Sequence, residues 1–220
     1  SLDETGCTLM AILFFDLDGT LIDSAIGITR CVAYALEKSG EPVPQEHELR
    51  RWIGPPLRDS FSPLLKDIEK TEAAVRFYRE RFETDGWAEH TVYDGIENVI
   101  ETLAKRGHRL AVVTAKNDGH ARKIIEHLPF GHYFEMISGA SLDGRISYKS
   151  QLIQIAIESM QVEAKDCSMI GDRHMDIEGA KHHAISSVGV LWGFGGLEEL
   201  SRANADHIID KPEQLLTLFQ

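Results

Sequence analysis

A short apolar run near the start of the chain leads directly into two closely spaced aspartates. The run is ILFF at 12–15, and DLDGT follows at 16–20. Four large apolar residues without alternation predict a strand that is buried on both faces, as in a parallel sheet. Side chains alternate along a strand, so Asp16 and Asp18 are expected to point to the same side, at the end where parallel sheets bind ligands. Because crowded carboxylates repel, the stretch predicts a metal ion or a proton beside them.

The bulk composition is that of an ordinary globular protein. The 220 residues are 43% hydrophobic and 26% charged, which suits one domain, or one domain that carries an insertion. The net charge of −12 argues against extended contact with a nucleic acid polymer or an anionic membrane. No run of about 18 apolar residues occurs that would span a bilayer. We therefore expect a small-molecule partner, and a chain that acts as a monomer or a homodimer.

The cysteines and the first residues bear on the cellular location. Cys7, Cys31 and Cys167 are odd in number and form no CxxC pattern, which favours a reducing cytoplasm over a disulfide framework or a zinc site. The opening stretch SLDETGCTLM is polar and acidic, unlike a signal peptide. Met10 is a candidate for the natural start. These features predict a cytoplasmic protein.

Short apolar runs recur along the chain, and helical patterns separate them. Five further runs predict strands: HRLAVVTA at 108–115, FEMISGA at 134–140, CSMIGD at 167–172, ISSVGV at 185–190 and DHIID at 206–210. Patterns near 95–107 and 151–160 predict helices between them. Strands that alternate with helices imply right-handed crossovers. The predicted fold class is α/β, with a doubly wound, Rossmann-like parallel sheet.

One long segment interrupts this alternation. Residues 25–92 contain no strand candidate, and their apolar residues recur at helical spacing. The segment is too long for a loop and too apolar for a linker. We expect an all-helical cap domain over 25–92, inserted into an α/β core made of residues 1–24 and 93–220. Placed after the first strand, such a cap lies over the strand ends.

Further polar residues occur at or near the ends of the predicted strands. Thr114 ends the second strand, Asp172 ends the fourth, and Asp176 follows it by four residues. Lys149 opens the helix between the third and fourth strands. Carboxylates suit a hard cation such as Mg²⁺, whereas a hydroxyl, an ammonium and free backbone N–H groups suit phosphate oxygens. Together with the first two aspartates, these residues predict a site for Mg²⁺ and a phosphoryl group.

The same residues carry a family resemblance. DLDGT at 16–20, VVTAK around Thr114, Lys149 and GDRHMD at 171–176 resemble, in order and spacing, the motifs of phosphatases of the haloacid dehalogenase superfamily that carry a helical cap. The chain is similar to phosphoglycolate phosphatases, and WIGPPLRDSF at 52–61 looks like a 5′-nucleotidase-like subgroup. The resemblance covers nearly the whole chain. It implies a Mg²⁺-dependent phosphatase that hydrolyses phosphoglycolate or a nucleoside 5′-monophosphate.

The resemblance also implies roles for the acidic residues. Asp16 would be the nucleophile that forms an aspartyl-phosphate. Asp18 would protonate the leaving alcohol and then deprotonate the attacking water. Mg²⁺ would be held by Asp16, the backbone carbonyl of Asp18, and Asp172, with Asp176 supporting them.

The remaining candidates concern the phosphate and the substrate. By resemblance, Thr114, Ala115 and Lys149 would bind the phosphoryl oxygens. Lys116 either reaches the phosphate or covers the rim of the site. The other candidates for substrate specificity either line the inner face of the cap or pack within it: Trp52, Gly54 and Pro55. The glycine-rich GFGG at 193–196 lacks the position of a dinucleotide fingerprint, and we assign it no role.

Two other functions use similar residues. A hexose-phosphate mutase such as a β-phosphoglucomutase shares the core, but its cap histidine is absent from 19–30, where this chain has Ile28, and Leu57 stands at the position of its cap arginine. A receiver-type phosphoacceptor domain has its acceptor aspartate after the third strand, whereas here the paired aspartates follow the first. Hydrolysis is the favoured reaction.

Overall fold

A six-stranded parallel sheet forms the centre of the molecule. The structure, a computed structural model, describes residues 9–220, so the expectations about Cys7 and about residues 1–8 of the opening stretch lie outside the described residues. The strands are β1 (Ile12–Phe15), β2 (Ile22–Asp23), β3 (Thr91–Val92), β4 (Arg109–Asn117), β5 (Phe134–Ala140), β6 (Cys167–Gly171), β7 (Ser186–Val190) and β8 (His207–Ile209). The large sheet has the order β5-β4-β1-β6-β7-β8, with every neighbouring pair parallel. The prediction of a doubly wound parallel sheet is confirmed.

Helices connect the strands and cover both faces of the sheet. They are α1 (Ala25–Lys38), α2 (Glu46–Leu49), α3 (Leu57–Leu65), α4 (Ile68–Thr84), α5 (Ile96–Lys105), α6 (Asp118–His127), α7 (Lys149–Met160), α8 (His174–His182), α9 (Gly196–Arg202) and α10 (Leu215–Leu218). No helix within the described part of the chain is long and apolar enough to cross a membrane.

The first strand is buried on both of its faces. Its four side chains are at most 1% exposed. Leu13 and Phe15 pack into one apolar cluster, whereas Ile12 and Phe14 pack into a second cluster on the other face. A strand enclosed on two sides cannot alternate between apolar and polar residues, which explains the uninterrupted ILFF run.

Four helices, α1 to α4, form the predicted cap between β1 and β4. α1 packs against α4, and buried side chains from both join one apolar cluster, among them Val32 and Leu36 from α1 and Val75 and Phe82 from α4. The same cluster contains Phe15 of the core. The cap therefore packs on the same side of the sheet as the apolar face formed by Leu13 and Phe15.

A two-stranded ribbon joins the cap to the core. β2 and β3 pair antiparallel, with Ile22 opposite Val92 and Asp23 opposite Thr91. The prediction that 25–92 contains no strand is therefore wrong for its last two residues. The ribbon forms because the two chain segments that enter and leave the cap run side by side. A two-residue strand is too short to produce an alternating pattern in the sequence.

Candidate active site

Three neighbouring strands bring the predicted site residues to one edge of the sheet. β1 lies between β4 and β6, so the carboxyl ends of all three meet. Asp16 follows β1, and its N–H donates to the carbonyl of Ile170 at 2.9 Å. Thr114 lies on β4, and Asp172 follows β6. Parallel pairing thus gathers residues that are far apart in the sequence.

Three buried carboxylates lie together at this edge, with one ammonium among them. Asp16, Asp172 and Asp176 each offer a carboxylate oxygen within 4.8 Å of the others. The Nζ atom of Lys149 is 3.2 Å from Oδ1 of Asp16 and 2.8 Å from Oδ1 of Asp176. It also donates to the carbonyl of Val113 at 3.0 Å. Lys149 begins α7 and Asp176 lies in the first turn of α8, so these two helices complete the cluster.

Burial and the neighbouring negative charges raise the pKa values of two of these carboxyl groups, those of Asp16 and Asp172. Burial, followed by the charge of Asp176, raises the pKa of Asp16 to about 7, although Lys149 opposes the shift. The pKa of Asp172 is raised well above its usual range by burial and by the charges of Asp16 and Asp176. Burial alone would lower the pKa of Lys149, but Asp16 and Asp176 raise it. One ammonium does not balance three carboxylates, so the cluster has a deficit of positive charge.

The cluster fits a hard divalent cation. Its ligand atoms are all carboxylate oxygens, the donors that Mg²⁺ and Ca²⁺ prefer. Oδ1 of Asp176 is fully buried and forms no hydrogen bond of acceptable geometry among the described residues, and its close neighbour is the Lys149 ammonium at 2.8 Å. A cation bound between the carboxylates would offset their repulsion and engage a buried oxygen.

A glycine allows the chain to turn beside the cluster. Gly19 has φ of +82°, a conformation that glycine adopts without strain. A Cβ atom at this position would lie 2.1 Å from Oδ2 of Asp172. The turn is closed by the carbonyl of Leu17, which accepts the N–H groups of Thr20 and Leu21 at 3.2 and 3.0 Å. The glycine of the DGT motif is therefore a steric requirement of the site.

The second aspartate of the motif lies outside the cluster. The Oγ hydroxyl of Ser24 donates to Oδ1 of Asp18 at 2.6 Å. The ammonium of Lys116 donates to both carboxylate oxygens, at 3.1 and 3.0 Å. Asp16 and Asp18 line the same cavity, but each has its own lysine. The two aspartates therefore have different charged neighbours, Lys149 for Asp16 and Lys116 for Asp18.

Thr114 and its neighbours form the wall beside these aspartates. Thr114 is buried, and its hydroxyl oxygen accepts the backbone N–H of Lys116 at 3.1 Å. Thr114, Ala115 and Lys116 all line the cavity that contains Asp16 and Asp18. The three residues predicted from VVTAK are thus next to the two aspartates.

The cavity lies between the cap and the core and has a volume of about 190 Å³. The predicted cap residues Trp52, Gly54 and Pro55 line it, and the Trp52 ring packs edge-on against Phe61 at 4.8 Å between centroids. Further lining residues were not predicted from the sequence: Arg58, Tyr78, Arg79, His120 and Tyr148. Arg58 lies within the WIGPPLRDSF stretch, but the sequence assigns it no individual role, and the other four belong to no motif. Only the packing of the cap on the core brings all five to the cavity.

Two of these unpredicted residues tie the cap to the core. Arg58 of α3 and Arg79 of α4 donate to the same carbonyl, that of Leu142, at 3.2 and 2.6 Å. Arg58 also forms two hydrogen bonds with Glu72. Arg79 also lines the cavity, and among the described residues it forms no ion pair within 4 Å.

The GFGG stretch, to which the sequence assigned no role, supports Asp172. The N–H of Phe194 donates to Oδ2 of Asp172 at 2.8 Å. A Cβ atom on Gly193 would lie 2.2 Å from the carbonyl oxygen of Gly19 and 2.3 Å from Cβ of Asp172. The glycine is required because backbone approaches the cluster closely here. The available signal in the sequence was a group of three glycines within four residues, shortly after a strand.

Comparisons with known proteins agree with this arrangement. The family model described as haloacid dehalogenase-like hydrolase matches residues 13–190. A Pseudomonas aeruginosa protein named 5′-nucleotidase is 41% identical over 196 residues, covering 89% of this chain and 89% of that protein. A Mycobacterium tuberculosis protein named tyrosine-protein kinase PtkA is 35% identical over 193 residues, covering 88% of this chain and 66% of that protein. The crystal structure of a predicted phosphatase from Clostridium acetobutylicum has a TM-score of 0.92 and 40% identity, covering 96% of this chain and 98% of that chain.

The match to the family model spans five of the six strands of the large sheet, the cap and the clustered residues. The family model begins within β1 and ends with β7, so it includes both aspartates of DLDGT, the cap, Lys149 and the acidic residues after β6. This chain belongs to the haloacid dehalogenase-like hydrolase family and is one of its phosphatases.

Proposed function

We propose that the protein is a Mg²⁺-dependent phosphatase that hydrolyses a small phosphate monoester through an aspartyl-phosphate. One observation carries the proposal: the Asp16 carboxylate lies beside Lys149 and two further carboxylates, at the base of a cavity that the cap covers. This arrangement supports roles for Asp16 as an anionic nucleophile, for Lys149 as a cation that binds phosphate oxygens, and for the carboxylates as metal ligands.

In the first step, an oxygen of Asp16 attacks phosphorus and the bond from phosphorus to the leaving-group oxygen breaks. Lys149, Thr114 and the N–H of Ala115 bind the phosphoryl oxygens and offset the charge that develops on them. Asp18 gives a proton to the leaving alcohol. In the second step, Asp18 takes a proton from water, whose oxygen attacks phosphorus and releases Asp16 and inorganic phosphate.

Four acidic residues would hold the metal ion. Asp16, the backbone carbonyl of Asp18, and Asp172 supply the ligands, and Asp176 supports them. Bound Mg²⁺ supplies positive charge to the carboxylate cluster and to the phosphoryl oxygens. In its absence the ammonium of Lys149 is the positive charge closest to Asp16 among the described contacts.

The cap is proposed to extend over residues 25–92, with residues 1–24 and 93–220 as the core. The ribbon of β2 and β3 is then the connection about which the cap moves. Closure over a bound substrate would exclude water while the phosphoryl group is transferred. The contacts of Arg58 and Arg79 with the Leu142 carbonyl support a closed arrangement in this structure.

We favour a nucleoside 5′-monophosphate as the substrate. The relative from Pseudomonas aeruginosa is named 5′-nucleotidase, and the cavity of this chain is lined by the aromatic rings of Trp52, Tyr78 and Tyr148, surfaces on which a base can pack. Phosphoglycolate is the second candidate, favoured by Arg79, whose charge is available to a substrate carboxylate. A mutase is less favoured, because α1 presents Ile28 to the cavity rather than a histidine.

The covalent intermediate tests the proposal. Purified protein is mixed briefly with Mg²⁺ and either a ³²P-labelled nucleoside 5′-monophosphate or ³²P-labelled phosphoglycolate, and the reaction is stopped with acid. We expect acid-stable label on the wild-type protein and none on Asp16→Asn, which lacks an anionic nucleophile. Activity of the Asp16→Asn variant should fall below detection.

Asp210→Asn is the matched control. Asp210 belongs to the α/β core domain, is exposed to solvent, and is far along the chain from the site residues. It should acquire label as the wild type does. Label that persists on Asp16→Asn would contradict the nucleophile assignment. The substrate with the higher kcat/KM identifies the substrate class, and a higher value for phosphoglycolate would overturn the preference for nucleotides.

A further inference from the structure

The ammonium of Lys116 lies between the core and the cap. Its Nζ atom is 3.1 and 3.0 Å from the two carboxylate oxygens of Asp18, and 4.7 Å from the centroid of the Phe82 ring. Lys116 lies on β4 of the core, whereas Phe82 lies on α4 of the cap. One cation therefore contacts both a proposed acid–base group and the underside of the cap.

This ion pair is shielded from solvent. The side chains of Lys116 and Asp18 are only 6% and 10% exposed. Exposed ion pairs contribute little to stability, but removing one member of a buried pair leaves an uncompensated charge. The Ser24 hydroxyl also donates to Oδ1 of Asp18, so the orientation of the carboxylate is fixed by three hydrogen bonds from two side chains.

A direct phosphate-binding role for Lys116 is not needed in this arrangement. Lys149 already lies 3.2 Å from Asp16 and provides an ammonium at the nucleophile. The described contacts of the Lys116 ammonium are with Asp18 and Phe82. The Lys116 ammonium therefore contacts Asp18, the proposed acid–base group, rather than Asp16, the proposed nucleophile.

We propose that Lys116 is the positioning residue for Asp18. Its ammonium holds both carboxylate oxygens of Asp18 in the orientation that reaches the leaving-group oxygen, and the Phe82 ring holds the ammonium in place when the cap lies on the core. The inference rests on the proposed acid–base role of Asp18. It makes proton transfer dependent on the position of the cap.

The test compares two substrates that differ in their need for a proton. An alkyl phosphate has a leaving group that must be protonated, whereas p-nitrophenyl phosphate has one that needs little protonation. The parameter kcat/KM reports the steps up to phosphoryl transfer. We expect Lys116→Met to lower kcat/KM about 10- to 100-fold for the alkyl phosphate, within the range of general acid catalysis, and less than about threefold for p-nitrophenyl phosphate.

A double-mutant cycle shows whether the residue acts through Asp18. Asp18→Asn should give the same substrate pattern with a larger loss. In the Asp18→Asn background, Lys116→Met should lower kcat/KM for the alkyl phosphate by less than about twofold, because residues that act as one unit are not additive. Lys116→Arg, which keeps a cation able to contact both oxygens, should recover part of the loss.

Lys123→Met is the matched control. Lys123 is also a core lysine whose ammonium lies over a cap ring, 4.3 Å from the centroid of Trp87, and it donates to a backbone carbonyl rather than to Asp18. The Lys123→Met variant should keep the wild-type kcat/KM for both substrates. Thermal unfolding of each variant verifies folding. If Lys116→Met does not fold, Lys116→Gln and the neutral double variant Asp18→Asn with Lys116→Met take its place.

Two results would overturn the inference. Equal losses for both substrates that add to those of Asp18→Asn would show that Lys116 binds substrate directly. Wild-type kcat/KM in Lys116→Met would show that Asp18 needs no positioning. A different result would overturn the proposed acid–base chemistry itself: undiminished turnover of the alkyl phosphate by Asp18→Asn, whatever Lys116→Met does.

Discussion

His120 is a buried histidine at the cavity that the proposed chemistry does not use. Its ring stacks on Phe82 at 4.4 Å between centroids, and Nε2 lies 3.4 Å from Oε1 of Glu83. Burial, followed by the positive charge of Lys116, lowers the pKa of His120 to about 4, although Glu83 opposes the shift. The core thus presents a neutral imidazole to the underside of the cap.

This histidine should make the protein sensitive to acid. The unfolded chain takes up the proton near pH 6.5 and the folded chain near pH 4, so between these values the unfolded state binds more protons. Stability contributed by neutral His120 is present above pH 6.5 and is lost as the pH falls towards 4. Between pH 7 and pH 5, wild type should lose about 2 kcal/mol more unfolding free energy than His120→Leu.

Urea unfolding at the two pH values measures this difference. His207→Leu, which removes an exposed histidine, should keep the wild-type pH dependence. An equal loss of stability in wild type and in His120→Leu would show that His120 is not held neutral in the folded protein.

At the scale of elements, apolar runs predict the strands of the large sheet, and most clearly the central strands β1, β4 and β6, where burial on both faces leaves little room for polar residues. β1 shows this most clearly, since all four of its side chains are buried. The ribbon of β2 and β3 was missed because two residues give no periodicity. The sequence alone assigns no role to the loop after β7, because it shows the glycines but not the backbone and the carboxylate that approach them.

That loop should control metal affinity. In Gly193→Ala, the new Cβ would overlap the carbonyl oxygen of Gly19 and Cβ of Asp172, so Asp172 must move. Overpacking of this kind costs about 1–3 kcal/mol, and we expect the Mg²⁺ concentration for half-maximal activity to rise about tenfold. Gly119→Ala is the control, because its Cβ would come no closer than 3.3 Å to a neighbour. Unchanged half-saturation in Gly193→Ala would refute the role of the loop.

At the scale of the whole molecule, the site is assembled from pairings that no local pattern contains. Lys116 and Asp18 are 98 positions apart in the sequence. Arg79 and Leu142, whose carbonyl accepts a hydrogen bond from Arg79, are 63 positions apart. Motifs indicate which residues take part because the chemistry restricts residue types. They do not indicate which lysine faces which aspartate, since that depends on how the cap rests on the core.

The buried carboxylates should also set the stability of the whole fold. Without a cation, the buried carboxyl groups of Asp16, Asp172 and Asp176 oppose one another's ionisation. A metal ion that binds the folded but not the unfolded chain stabilises by about 2.7 kcal/mol at 100 times its Kd. For a chain of this size, that amount corresponds to a rise in Tm of roughly 5–10 °C.

Thermal unfolding in EDTA and in excess Mg²⁺ measures the effect. We expect excess Mg²⁺ to raise the Tm of the wild-type protein by this increment. In EDTA, the wild-type protein should lose turnover of a phosphate monoester. Asp172→Asn removes one of the proposed carboxylate ligands, so Mg²⁺ should no longer raise its Tm. The increment in wild type should shrink below pH 7, because the raised pKa of Asp16, about 7, lets protons compete with the metal. An equal Mg²⁺ increment in wild type and Asp172→Asn would place the metal elsewhere.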